Sequence, residues 1–577
     1  MKLSNFFIPT LKEDPADTVI PSHKLMLRSG MIKQLTSGVY SYLPLGVIVF
    51  RKIERIVREE MNSIGGNEFY LPALSPNELW HLTGRLEDYG DDMFRIKNRE
   101  LVLAPTHEEV FTSIAKPNLI SYKDLPKMWY QIQTKFRNEA RPRGGVLRSR
   151  QFTMKDAYSF DASWEGLDVS YANQDKAYRN IFTRCGLKFF VVSAFSGAMG
   201  GSESEEFMAE TESGEDNIAI SEDGKYASNL EVAVSFSEPV IRKNNNLPYE
   251  ELYTPDIKTI DELALFLKIS DKSHLAKSRV YVNPSKIVNN EINSEYILAL
   301  VCGDDEVNES KLRNLYGINL RPAQTEELSE ITGADAGSIG PIGLKTDKIK
   351  IVADYRLKDS DELISGANKN DYHFKNIDLM RDVKNIIYED IRTCKDSEYT
   401  KDKSSKIRIV KAIELGHIFK LGMKYADILE AKFLDKDGKE KTIIMGSYGI
   451  GIERIAAAYI EQNFDKDGII WSGEIAPFKV HLICVNVKLP DVKKMADSVY
   501  EEMLNKNIEV LYDDREGISP GFKFKDADLI GVPLQVIVSE KNLKNNEIEL
   551  KLRRTGERIK IKTTDLTDYL FNKLNNI

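Results

Sequence analysis

Residues 135–160, KFRNEARPRGGVLRSRQFTMKDAYSF, hold seven basic residues against one acid between Lys135 and Lys155. Arginine presents bidentate donors in fixed geometry, so Arg137 and Arg148 suit a polyphosphate. Glu139, alone among these cations, can accept from an exocyclic amine, and Phe152 gives a base a face to stack on. A solvated basic hairpin that binds nucleic acid without specificity is the alternative for this segment taken alone. A second pair of interest, Thr106 and Glu108, follows the apolar run 101–105; a carboxylate beside a hydroxyl can accept from a small cation. Thr106-x-x-Glu109 also fits a helix capping box, and His107 would point to the opposite face of an extended segment.

The elements that position these groups are legible around them. Alternation over 129–136 and again around 152–158 predicts two strands, with Arg141-Pro142-Arg143-Gly144-Gly145 as the hairpin loop between them. Residues 46–64 place Val49, Ile53, Ile56, Val57, Met61 and Ile64 at helical spacing, after Pro44 and before Gly65-Gly66. A strand over 68–71 then ends at Pro72. Met445–Arg454, MGSYGIGIER, reads as a glycine-rich strand entering a helix with an arginine at its start. A cation there opposes the helix dipole unless an anion sits nearby, which argues for a ligand against a surface arginine. Glu414 and His417 lie on a presumed strand just before it.

Arg137-x-Glu139 with Arg148 and Phe152 resembles the second signature motif of class II aminoacyl-tRNA synthetases. Residues 445–454 resemble the third, and residues 34–72 the first. Together with Pro105-Thr106-His107-Glu108 and Glu414-Leu415-Gly416-His417, the ordered set resembles the bacterial-type prolyl-tRNA synthetases over essentially the whole chain. The resemblance implies an α/β (α+β) protein: an antiparallel-sheet catalytic domain, an inserted α/β editing domain and a C-terminal α/β anticodon-binding domain. It implies ATP-dependent attachment of L-proline to its tRNA through a prolyl-adenylate. Arg137 then bridges the α-phosphate and the prolyl carboxylate, Glu139 receives the adenine amine and Arg148 reaches the γ-phosphate. Phe152 stacks on adenine, Arg454 lies on its other side, and Thr106 with Glu108 accepts the prolyl N–H groups. Glu414 is placed to hold Mg2+ with ATP, while His417 reads equally as an ATP contact or a structural histidine. Residues 196–207 resemble a glycine-rich element of the proline pocket, with Glu205 where many relatives carry histidine.

The expected divisions are 1–223 and 406–474 for the catalytic domain, 224–405 for the insert and 475–577 for the anticodon-binding domain. A pocket shaped for proline excludes the smaller alanine poorly, since each missing methylene is worth only about 1–3 kcal/mol. The insert accordingly resembles a domain that hydrolyses alanyl-tRNA, with Lys277, the loop Gly337–Pro341, Asp354 and His373 matching. In the last region Asp513-Asp514-Arg515 and Pro520–Lys525 interleave aromatic and basic residues, which suits unstacked RNA bases. Arg553-Arg554-Thr555-Gly556 reads as a hairpin turn.

Bulk properties agree with such an enzyme. The 577 residues exceed one ordinary core, so three or four domains are expected. A net charge of −9 argues against a generally basic nucleic-acid binder, and tRNA would need a locally basic face. No apolar run spans a bilayer and the first residues do not form a secretory signal, so the cytoplasm is expected, with no membrane contact. Four widely spaced cysteines and seven unclustered histidines predict reduced thiols and no structural metal. The first-motif element implies a homodimer. A synthetase-like paralogue that only binds RNA would typically lose the phosphate-binding arginines, and all three remain. A free-standing deacylase would not need the intact activation motifs. No zinc ligands of a threonyl enzyme and no N-terminal coiled coil of a seryl enzyme are present.

Overall fold

The structure, a computed structural model, describes residues 1–195, 199, 203–243, 245–284, 295–317, 319–344, 349–566 and 569–570. Most of the glycine-rich stretch 196–202 therefore lies outside the described residues. The chain forms two compact units, one of Met1–Val191, Met199–Glu215 and Lys411–Ile577, the other of Val192–Ala198 and Asp216–Val410.

In the first unit, helix α1 (Pro44–Ser63) begins with proline at its first position, where a missing N–H costs nothing. It buries Val49, Ile53, Ile56, Val57 and Met61, the stripe its spacing predicts. Strand β1 (Asn67–Phe69) follows and pairs in parallel with β2 (Lys127–Phe136). Strand β3 (Gln151–Asp161) returns antiparallel to β2, and helix α3 (Trp164–Arg184) packs behind it; helix α2 (Glu108–Asn118) lies between β1 and β2 in the chain. With β4 (Glu203–Glu210), β5 (Ile407–Gly422) and β6 (Ile444–Gly451), the order in this unit is β4-β5-β6-β3-β2-β1, antiparallel except for the β1 edge. Helix α4 (Ile452–Gln462) continues directly from β6 and is almost wholly buried, with three consecutive alanines allowing close packing. The predicted strand over 68–71 is one residue earlier and shorter, because Leu71 leaves the ladder to donate its N–H to the Gln131 side chain.

The C-terminal part of this unit has a five-stranded sheet in the order Val510–Asp513, Val480–Cys484, Leu534–Val538, Glu547–Leu552, Arg558–Lys562. The first three strands are parallel and the last two form an antiparallel hairpin. Helix α5 (Pro520–Ile530) covers one face. Arg553 does more than turn the hairpin: it is buried and grips both oxygens of Asp465 at 2.7 Å.

His481 sits in the middle of this sheet, fully buried, and neither ring nitrogen has a hydrogen-bond partner among the described residues. Burial pushes its pKa down to about 4. Between about 4 and 6.5 the unfolded chain holds a proton there that the folded chain refuses, so stability falls as pH falls through that window, by up to about 3 kcal/mol. His481→Leu is expected to flatten the acid limb of a stability–pH curve measured by denaturant unfolding; an unchanged slope would contradict this.

The second unit carries a five-stranded sheet in the order Arg321–Pro322, Ala276–Asn283, Glu295–Cys302, Ile349–Asp354, Ile387–Glu389. A three-stranded sheet places Tyr372–Ile377 between Glu250–Tyr253 and Leu363–Gly366. Thr259 caps helix Ile260–Leu267 in a capping box with Glu262. The four cysteines are buried and unpaired. No helix among the described residues is long and apolar enough to cross a membrane.

Candidate active site

The sheet of the first unit carries a cavity of about 370 Å³. Its walls include Thr106, Glu108, Arg137, Glu139, Arg148, Phe152, Glu414, His417 and Arg454. Residues separated by more than three hundred positions thus converge, because β2, β3, β5 and β6 are sheet neighbours and α2 and α4 begin at its edge.

Arg137 follows the end of β2. Its guanidinium lies 5.4 Å from the centroid of the Phe152 ring, and its buried Nε has no partner among the described residues. Arg454, in the first turn of α4, donates to the Glu414 carboxylate at 3.0 Å, the Glu414 carbonyl at 3.1 Å and the Leu147 carbonyl at 3.2 Å. The anion that offsets the helix dipole is therefore Glu414. Burial pushes the Glu414 carboxyl up, but the hydrogen bond from His417 and the charges of Arg454, His417 and Arg137 outweigh it and keep the group ionised. The His417 ring stacks on Phe419 at 3.7 Å, with Nδ1 3.4 Å from Glu206 and 3.6 Å from Glu414, while its buried Nε2 has no partner among the described residues. One ligand atom each from Glu206, Glu414 and His417 lies within 4.8 Å of the others. Two carboxylates this close fit a divalent cation that keeps part of its water shell.

Glu139 and Arg148 are bound to each other, Arg148 Nε donating to Glu139 Oε2 at 2.7 Å. This bond takes one donor position of Arg148 and one acceptor position of Glu139. The neighbouring Arg143 donates to Glu215 at 2.6 Å.

At Thr106–Glu109 the capping box does not form. The N-cap is His107, and Thr106 donates to Glu108 Oε2 at 2.6 Å. Glu109 instead accepts from Thr83 at 2.9 Å and from Arg85. Glu108 also accepts from Arg85 at 3.1 Å and, on Oε1, from Ser447 at 3.0 Å. Three of its roughly four acceptor positions are filled, so it has room for one substrate N–H and not both. His107 does point away, its Nε2 3.0 Å from the Pro72 carbonyl and its Nδ1 2.5 Å from Lys135 Nζ.

Sequence reasoning missed Arg85. Fully buried, it donates to both Glu108 and Glu109 and to Tyr89 at 3.2 Å, and its guanidinium lies 5.2–5.3 Å from the Trp80, Tyr89 and Tyr425 rings. One guanidinium serves two carboxyls. Burial raises Glu108, yet Arg85 and the Thr106 hydroxyl hold it down; burial raises Glu109 too, and the charge of Glu108 keeps it raised. The buried set Lys135, Asp156 and Tyr158 was missed as well: Asp156 Oδ2 accepts from Lys135 at 2.9 Å and from Tyr158 at 3.0 Å, and the Tyr158 hydroxyl receives the His107 N–H. Ser447 stood inside a quoted motif without a role. Glu205 accepts from Tyr171 at 2.9 Å.

A second cavity, about 590 Å³, lies within the other unit, with Lys277, Gly337 and His373 on its walls. Lys277 is already engaged, donating to the Asp305 carbonyl at 2.7 Å and to Glu306 at 2.5 Å. Burial pushes His373 down to about 4, against a hydrogen bond to the Gly337 backbone, so its imidazole is neutral; Nδ1 is 2.7 Å from the Thr254 hydroxyl. Asp354 and Pro341 are not on these walls, contrary to expectation. Asp354 accepts from the N–H groups of Arg356, Ile391 and Arg392, a cap for the turn Tyr355–Leu357. Pro341 belongs to a loop stapled by Asn368, which bonds Gly340 and Ile342. The loop packs so closely that a Cβ on Gly340 would meet the Gly366 carbonyl oxygen at 1.9 Å.

Residues 93–463 match the tRNA synthetase class II core domain family (G, H, P, S and T), and residues 479–573 match the anticodon binding domain family. Sheet, motifs and cavity together define a class II aminoacyl-tRNA synthetase with an anticodon-binding domain. A proline–tRNA ligase of Caldicellulosiruptor saccharolyticus is 47% identical over all of this chain and 99% of its own length. One from Geobacter sp. is 46% identical over 96% of each. The chain belongs to the bacterial-type proline–tRNA ligase family. A crystal structure of prolyl-tRNA synthetase from Cryptosporidium parvum, complexed with L-proline and AMP, shares the fold with a TM-score of 0.58. It is 11% identical and covers 98% of this chain and 77% of that one.

Proposed function

We propose that this chain activates L-proline with ATP at the first cavity and transfers it to the tRNA for proline. The carrying observation is the convergence of Arg137, partnerless at Nε, with Thr106, Glu108, Phe152 and Arg454 on one wall system. The prolyl carboxylate is already anionic and attacks the α-phosphorus in line, so no general base is needed; catalysis is positioning and charge neutralisation. Arg137 holds the carboxylate and the α-phosphate together. Glu108 and Thr106 each take one prolyl N–H. Phe152 stacks on adenine, Glu139 accepts its amine and Arg148 reaches the γ-phosphate. Arg454 lies opposite Phe152. Glu414, with Glu206 beside it, would hold Mg2+, whose charge offsets that of the phosphates, and His417 orients Glu414. Charging of tRNA transcripts with radiolabelled proline, resolved on acid gels, tests the reading: no charged tRNA for proline would refute it.

The second cavity is proposed as a site that hydrolyses alanyl-tRNA. Lys277, Gly337 and His373 share it, and an activation pocket sized for proline passes alanine at a rate that needs correction. Lys277→Ala is expected to leave prolyl-tRNA formation near normal and to slow deacylation of preformed alanyl-tRNA for proline at least about ten-fold. Equal deacylation by variant and wild type would remove Lys277 from the site. The proposed partition remains 1–223 with 406–474, 224–405 and 475–577.

The working form is proposed to be a cytoplasmic homodimer, because Leu35 (76% exposed) and Tyr70 (82%) stand out on the first-motif element with nothing over them in one protomer. Sedimentation should give twice the chain mass at micromolar concentration; an active monomer would overturn this.

A further inference from the structure

Behind Thr106 and Glu108 a chain of hydrogen bonds runs from the first cavity into the sheet. Thr106 gives its one hydroxyl proton to Glu108 Oε2 at 2.6 Å. Tyr158, on β3, gives its own to Asp156 Oδ2 at 3.0 Å and accepts the His107 N–H at 3.0 Å. Asp156 Oδ2 also accepts from Gln131 at 3.0 Å and from Lys135 at 2.9 Å, both carried by the paired strand β2. Lys135, Asp156, Tyr158 and Thr106 are all buried. Burial pushes the Asp156 carboxyl up, but the charge and hydrogen bond of Lys135, with the bond from Gln131, hold it below the usual carboxylate range. An ionised carboxylate only accepts.

The Thr106 and Tyr158 oxygens stand 3.2 Å apart, within hydrogen-bond reach. Each hydroxyl has one proton, and each proton is already committed to a carboxylate, so none lies between the two oxygens. Without Asp156 the Tyr158 proton has Thr106 Oγ1 as a neighbouring acceptor, and a buried donor left unmade is costly. Turned that way, it occupies a lone pair of Thr106 that a substrate N–H needs.

We propose that Asp156, held by Lys135, is a positioning residue for proline: it draws the Tyr158 hydroxyl proton away from Thr106 and so leaves the Thr106 oxygen open to a prolyl N–H. Asp156 acts through Tyr158 and Thr106, not on the reacting atoms. The proposal rests on the reading of the first cavity as the site of proline activation. It confines the effect of Asp156 to the amino-acid side of the site, since the groups assigned to ATP take no part in this chain.

The test uses the full-length enzyme in proline-dependent ATP–pyrophosphate exchange without tRNA. Removing Asp156 alone would strand Lys135, so both charges are removed together, which a buried pair tolerates far better than the loss of one partner. Lys135→Met/Asp156→Ala should raise the KM for proline at least about ten-fold, the low end for one hydrogen bond to a charged group, with kcat and the KM for ATP within about two-fold. Tyr158→Phe alone should raise the proline KM by no more than about three-fold, because it leaves no proton to turn toward Thr106. Adding Tyr158→Phe to the pair variant should bring its proline KM back to the level of Tyr158→Phe, a recovery that general damage to the sheet would not give. A pair variant with a near-normal proline KM, or a triple variant no better than the pair, would overturn the role of Asp156. Should the pair variant not fold, Tyr158→Phe decides by itself: a small rise supports the role, and a rise of about ten-fold would mean that Thr106 needs the phenol as its donor. A wild type with no proline-dependent exchange would overturn the reading beneath the proposal instead.

Discussion

Arg137→Ala is expected to reduce proline-dependent ATP–pyrophosphate exchange by at least about 10²–10³-fold, the scale of losing one preorganised donor to a developing charge. The expected loss sits at the upper end because one guanidinium serves both reacting partners. Its Nε is buried with no partner among the described residues, and its guanidinium lies 5.4 Å from the Phe152 ring centroid. A donor held dry and unmatched is costly unless a ligand completes it. Removing it should therefore leave the fold intact and lower kcat more than it raises either KM. A folded variant within a few-fold of wild type would take Arg137 out of the reaction.

Arg85→Met is expected to cost about 3–5 kcal/mol of stability, the range for stranding buried charges by removing one partner. Glu108 and Glu109 would be left facing each other with no cation, and Glu108 would take up a proton. Arg85 touches Glu108 and not substrate, so it is a positioning residue, and the KM for proline should rise far more than the KM for ATP. Its two partners are not equivalent. Glu109 is pushed up by burial and by Glu108, whereas Glu108 is held down by Arg85 and Thr106. Glu109 faces Thr83 and Arg85 and is not on the cavity walls, so Glu109→Gln should leave exchange near normal, whereas Glu108→Gln should abolish exchange. Denaturant unfolding with proline-KM measurements checks both; equal effects of the two glutamine variants would contradict this division.

What the sequence could convey here follows from how each residue is recognised. Local pattern defined α1, β2, β3 and the β6–α4 junction, because apolar period, proline and glycine act within a few residues. Arg137, Phe152 and Arg454 were legible for the same reason, each sitting in a short motif with its own chemistry. Arg85 was not: in HLTGRLEDY it looks like a solvated helix residue, and its two carboxylate partners lie more than twenty positions away with no fixed spacing. Lys135 and Asp156 meet only because β2 and β3 pair in one register. Asp354 is the opposite case. A carboxylate in the inserted segment invites a chemical role, but three backbone N–H groups converge on it and cap a turn. The Glu139–Arg148 pair was unreadable from either motif position, since strand spacing places both residues at the site without saying that they hold each other.

The central claim is that the charges of the first cavity select and activate proline without help from tRNA. ATP–pyrophosphate exchange with the purified full-length chain, run separately with each of the twenty amino acids and no tRNA, tests it most directly. The account predicts that proline supports the strongest exchange, with alanine the leading weak competitor; strong exchange with threonine or glycine and none with proline would contradict it.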